Sequence, residues 1–130
     1  MTLEHQVTEL LRRRSDEGGF RGAMVCTVGG LAIAAHGTST ADDLAAFTSL
    51  FEDVVARAAR DLGLVAVDEV TVRDGGQGRF VVRPLVFDGR PRAFLVVHAD
   101  VGRAWRRLTS TLVSDLVPLL APLMTATEAP

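Results

Sequence analysis

Few side chains in this sequence could do covalent or acid–base chemistry, and each has a structural use of its own. Cys26 is the single cysteine. As a nucleophile it would need a base and an orienting group, and it sits in an apolar run where a thiol serves as a small buried hydrophobe. His36 stands in a loop before a long helix, and His98 is followed two residues later by Asp100. A histidine beside a carboxylate can form a general-base pair, and His36, His98 and Asp100 would make a catalytic or metal site if three loops converged. No spacing motif supports that convergence, so no catalytic residue, metal site or cofactor is expected. The glycine clusters Gly29-Gly30 and Gly75-Gly76-Gln77-Gly78 each join two strands. A phosphate-cradling loop instead joins a strand to a helix and, in its P-loop form, carries a lysine; this chain has none. Arg103, Arg106 and Arg107 with Trp105 offer charge and stacking, the ingredients of nucleic-acid binding. Helical spacing puts Trp105 on the apolar side and the arginines on the other, so a core anchor with a solvated face is expected.

The chain as a whole narrows the function classes further. Its 130 residues are enough for one domain with a real core. With 48% hydrophobic and 23% charged residues it is globular in composition. A formal charge of −2 implies no general attraction to nucleic acid or to an anionic membrane. All fourteen basic residues are arginine, which with abundant alanine, valine and glycine points to a GC-rich bacterial genome. A lone cysteine makes no intramolecular disulfide, so a reducing cytoplasm is expected. Met1-Thr2-Leu3-Glu4 does not open a signal peptide, and no apolar run reaches the roughly 18 residues that span a bilayer, so no membrane insertion is expected.

Hydropathy period gives the elements that must position these groups. A short amphipathic helix carries Leu3, Val7, Leu10 and Leu11, with Arg12, Arg13 and Arg14 at its C-terminal end and a break over 15–19. Strands over 20–28 and 31–35 flank a two-residue Gly29-Gly30 turn. A long helix over 40–62 follows, with Thr40 as N-cap, Asp42 and Asp43 at its positive end and Gly63 as its stop. One stripe of that helix, Leu44, Phe47, Phe51, Val54, Val55, Ala58 and Leu62, reads as core. Beside it run Ala41, Ala45, Thr48, Ala56 and Ala59, interrupted by Glu52. Such small side chains suit either close approach of a second subunit's helix or the solvent face of an alanine-rich helix. Strands over 64–73, 79–87 and 91–98 come next, joined by the glycine cluster and by Asp88-Gly89. Pro84 must lie where no N–H is needed, and the unbroken run Ala93 to Val97 marks a central strand. The last helix starts near Val101 or Gly102, buries Ala104, Trp105, Leu108, Leu112, Leu116, Leu119 and Leu123, and should kink or end at Pro118. The order α-β-β-α-β-β-β-α predicts an α+β sandwich with helices on both faces of one antiparallel sheet.

Three stretches carry a family resemblance. Gly22-Ala23-Met24-Val25-Cys26-Thr27-Val28-Gly29-Gly30-Leu31-Ala32-Ile33-Ala34 is similar to the opening hairpin of the Roadblock (dynein light chain) family. Ala58-Ala59-Arg60-Asp61-Leu62-Gly63-Leu64 resembles the end of its long helix, and Arg79-Phe80-Val81-Val82-Arg83-Pro84-Leu85 its fourth strand. From Gly22 to about Leu120 the chain most resembles the bacterial MglB-like branch. One departure is Gly29, where the family commonly has Asp or Asn before the turn glycine.

The resemblance implies a five-stranded antiparallel sheet in the order 2-1-5-4-3, with the long helix on one face and the terminal helices on the other. Length and the end of the last helix put this one domain over 1–124, with a flexible tail expected over 125–130. The resemblance also implies a homodimer whose third strands, 68–72, pair edge to edge while the long helices lie side by side. Dimer contacts are then expected at Ala45, Thr48, Glu52, Ala56, Ala59, Asp68, Val70 and Val72. Family members act as non-catalytic partners of small Ras-like GTPases or as adaptors, so a GTPase is the expected partner, with contact at Leu50, Asp53, Arg57 and Arg60 on the exposed side of the helix. The alternatives are a scaffold in a sensor-kinase or multiprotein complex without GTPase contact, and a small enzyme using His36, His98 and Asp100.

Overall fold

In chain order the elements are α1 (Leu3–Gly18), β1 (Gly22–Thr27), β2 (Ala32–His36), α2 (Ala41–Leu62), β3 (Val70–Arg73), β4 (Gly78–Phe87), β5 (Arg90–Asp100) and α3 (Arg106–Ala126). The computed structural model describes residues 1–37, 41–64, 66–73, 75–100 and 102–126, with the backbone alone at 41–47, 49, 50 and 126. The expected N-cap Thr40 and the end of the tail, 127–130, lie outside the described residues. The strands form one antiparallel sheet in the order β2-β1-β5-β4-β3. β5 is paired on both sides, and Ala93 to Val97 are all buried, as an apolar run in a central strand requires.

Because side chains alternate across a strand, β1 sends Ala23 and Val25 to one face and Met24 and Cys26 to the other. The first face is covered by α1 and α3. Thr2 caps α1 by accepting from the His5 N–H at 3.2 Å, and Gly19 ends it in the left-handed region at φ 66°. The helix therefore runs through the predicted break at 15–19. Ser15 and Gly18 are buried, and a Cβ on Gly18 would lie 2.7 Å from Leu108 Cδ1, so the absence of a side chain lets α1 approach α3. The arginines are consequently mid-helix rather than terminal. Arg12 pairs with Glu9 at 2.9 Å and Asp16 at 3.1 Å, and Arg14 pairs with Glu17 at 3.0 Å and with Asp115 of α3 at 3.1 Å.

The helix α3 departs from expectation at both ends. It begins at Arg106, because the chain first turns at Gly102 (φ 93°), with the Arg103 N–H donating to the Asp100 carbonyl at 3.1 Å. It then passes through Pro118 and Pro122 to Ala126, so of the kink or end expected at Pro118 the end does not occur. Both prolines are exposed, on the side where carbonyls left without a donor can meet water. Over Arg106–Thr125 it is long and apolar enough to cross a membrane by length and composition, a run the sequence reading did not predict. Here Leu112, Leu116, Leu120 and Met124 are buried in the same core as α1 and the sheet.

On the second face, β3 is shorter than predicted. Its ladder with β4 runs from Val70↔Val82 to Arg73↔Arg79. Continued by two residues, that register would set Asp68 opposite Pro84, which has no N–H to extend the pairing. The turns also sort themselves by backbone sign. Asp88 (φ 52°) and Gly89 (φ 76°) form the predicted two-residue hairpin turn with both central residues at positive φ. In the first hairpin only Gly30 (φ 88°) is left-handed, and Gly30 N–H donates to the Thr27 carbonyl, giving a longer turn than the Gly-Gly pair suggested.

Candidate functional site

The geometry separates the residues that sequence offered for chemistry. His36 is in register with Ala23 and His98 with Gly22. Consecutive residues of one strand face opposite ways, so the two histidines lie on opposite faces of the sheet and share no pocket. His98 stacks on Phe80 with ring centroids 4.2 Å apart, and Asp100 forms an ion pair with Arg21. Cys26 is buried; its Sγ lies 3.3 Å from Thr48 Oγ1 and 3.9 Å from the Phe94 carbonyl. Burial pushes this thiol above its ordinary value, and the two hydrogen bonds only partly pull it back. A neutral, enclosed thiol is a packing group, and among the described residues its hydrogen-bond partners are a hydroxyl and a carbonyl rather than a base.

The feature the fold leaves open is beside α2. This helix packs on β1 and β2, at one side of the sheet. Its C-terminal half overhangs the rest, with Val54 61% and Leu62 72% exposed, although both belong to the stripe that sequence assigned to the core. The side that meets the protomer's own sheet is centred nearer Thr48, which is 1% exposed and bonded to Cys26. Thr48 therefore serves the protomer rather than the subunit contact proposed for it. Leu44 and Phe47 of the predicted stripe have side chains outside the described residues.

Between the C-terminal half of α2 and strands β3 and β4 runs an open apolar groove of about 440 Å³. Phe51, Val55 and Ala59 form its helix wall, and Val70, Val82 and Pro84 its sheet wall. Below it, Met24, Cys26, Val82, Phe94 and Val96 form a thin second core. A contiguous apolar hollow flanked by an edge strand is the pattern of an interaction surface. Its sheet wall was not legible in the sequence, because the apolar alternation of β4 is the same whether its neighbour is a helix of this chain or of another.

The expected contact residues distribute around this groove. Glu52 and Ala59 line it together with Ala56, and Glu52 and Ala56 are exposed. Val70 and Val72 are half-buried on the α2 face of β3, the terminal strand of the sheet. Asp68 is exposed and lies before the strand begins, a correction to its expected place within the edge strand. Ala45 and Leu50 have side chains outside the described residues. On the exposed side of α2, Arg57 and Asp53 pair at 3.3 Å, and Arg60 pairs with Asp61 at 3.3 Å.

No protein-family model matches the chain, and neither does any curated protein sequence. Solved structures do. MglB of Myxococcus xanthus superposes with a TM-score of 0.77 at 14% identity, covering 92% of this chain and 90% of that one. The gliding protein MglB of Thermus thermophilus gives 0.78 at 17% identity, covering 95% and 93%. A Roadblock/LC7 domain from Streptomyces avermitilis gives 0.73 at 21% identity, covering 87% and 96%. The chain thus has a Roadblock-type, MglB-like fold, with the strand order expected from its sequence.

Proposed function

Proceeding from the Roadblock-type fold, we propose that this protein is a non-catalytic, homodimeric regulator or adaptor that binds a small Ras-like GTPase in bacterial cytoplasmic signalling. The observation that carries the reading is the apolar groove beside α2, continuous with the unpaired edge of β3. In the dimer, β3 pairs with its counterpart near Val70 and Val72. The second copy's α2 covers the groove against Ala45, Glu52, Ala56 and Ala59, with Asp68 at the margin. Isologous pairing of this kind closes on itself and removes an exposed edge. The polar side of α2 is left for the GTPase, with Leu50, Asp53, Arg57 and Arg60 as the contact. A partner that grips mobile switch loops shifts their population without donating a catalytic group.

The test is affinity capture of GTPases from the native host with the intact protein as bait, beside an Arg57→Glu/Arg60→Glu variant. The reading expects a small GTPase to be retained by the first and lost from the second. Retention of a histidine kinase without any GTPase would replace it with the scaffold role.

A further inference from the structure

Two sets of arginines in this protein are handled differently. On α1, Arg12 and Arg14 each meet two carboxylates. Between β3, β4 and the start of α3, two guanidiniums lie over Trp105 and two more belong to the same face of the sheet, with a single carboxylate paired to them among the described residues. Arg79 and Arg73 are directly opposite in the β3–β4 ladder and share a face. Arg79 Cζ lies 4.3 Å and Arg106 Cζ 4.9 Å from the centre of the Trp105 ring. Arg83, on the same face and roughly 13 Å further along β4, donates to the neutral Ser110 hydroxyl at 2.7 Å. The one acidic neighbour, Glu69, is 4.0 Å from Arg106 Nε. Two buried donors at the same place, Arg79 Nε and Trp105 Nε1, have no acceptor among the described residues.

We propose that the strip of Arg73, Arg79, Arg83 and Arg106 around Trp105 is a docking surface for an acidic polypeptide segment of a partner protein. Charge complementarity is the argument. In a chain of net charge −2, this cluster, with one carboxylate against it among the described residues, is a local reversal of sign, and forked guanidinium donors in a row match carboxylates along an extended chain. A single-stranded nucleic acid is disfavoured because the Trp105 ring already engages two guanidiniums and packs on the core, so a base would have to displace them to stack. The strip lies on the α3 side of the sheet, opposite the groove, and Arg73 ends the edge strand β3, so size-exclusion of each variant checks that its oligomeric state is that of the wild type.

The probe is a fluorescein-labelled deca-glutamate peptide, followed by anisotropy at low ionic strength against the full chain, with Trp105, the only tryptophan, as a second reporter. Saturable binding that weakens with salt is expected. Arg73→Glu/Arg106→Glu should weaken it by about tenfold or more, and the neutral Arg73→Gln/Arg106→Gln pair by less. Arg13→Glu/Arg90→Glu, matched in charge but outside the strip, should leave it within about twofold. Circular dichroism confirms that each variant is folded. Absence of saturable binding, equal loss in the control pair, or binding of oligothymidylate or inorganic phosphate as tightly as the peptide would each overturn the proposal.

Discussion

On the α1/α3 face of the sheet, seventeen buried apolar side chains of the described residues form one cluster; on the α2 face, five do. Both faces are built by the same alternating strands, and different helices cover them. Two helices span the first face from β2 to β4, and α1 is drawn to α3 by Gly18 and by the Arg14–Asp115 bridge. One helix, set over β1 and β2, covers the second and leaves Val70, Val82 and Pro84 lining a hollow. The first face folds the protomer. The second leaves an open groove, the surface proposed above to meet a second copy.

The comparison breaks most easily by emptying the sealed face. Leu116→Ala should cost about 3 kcal/mol in urea denaturation, since the site is fully enclosed and cannot collapse. Val55→Ala on the groove wall should cost under about 1 kcal/mol in the protomer. A loss at Val55 as large as at Leu116 would mean that the groove is closed in solution. Next in size is the effect on association. Val70→Glu places a charge at the edge strand and should raise the dimer dissociation constant by about tenfold or more, while circular dichroism of the dilute protomer stays unchanged.

How much of this was legible in the sequence depended on whether a pattern was local. Element order, the strand order implied by the family likeness and the central place of β5 could be read, because period and turn residues such as Asp88-Gly89 carry them. The pitch of α2 about its own axis could not. Its apolar stripe includes Val54 and Leu62, which sequence assigns to the core and the protomer leaves exposed; Thr48, a polar residue in a small-residue stripe, is enclosed. Hydropathy gives which residues of a helix are apolar but not which of them its own sheet takes up. The start of α3 was not legible for another reason: the turn at Gly102 delays the helix to Arg106, and beyond Pro118 exposure lets a helix carry a proline that its sequence signal alone would allow to end it.

Smaller perturbations sharpen the account of the second face. Thr48→Val removes the hydroxyl beside Cys26 and should cost about 1 kcal/mol. The thiol of Cys26 should react with a disulfide reagent only at the rate of unfolding. Its raised pKa also gives a pH dependence of definite sign: the folded state holds the proton that the unfolded thiol loses, so this contribution is complete below the ordinary value of 9.0 and declines as pH rises above it. Cys26→Ala should flatten that decline, as read from denaturation midpoints between pH about 8 and 10.

The central claim is that the open face is covered by another copy of the same chain. Sedimentation velocity of the wild-type protein at micromolar concentration tests it directly. The account predicts a species of twice the chain mass that Val70→Glu converts to protomers; a wild-type protein that sediments as a protomer throughout would contradict it.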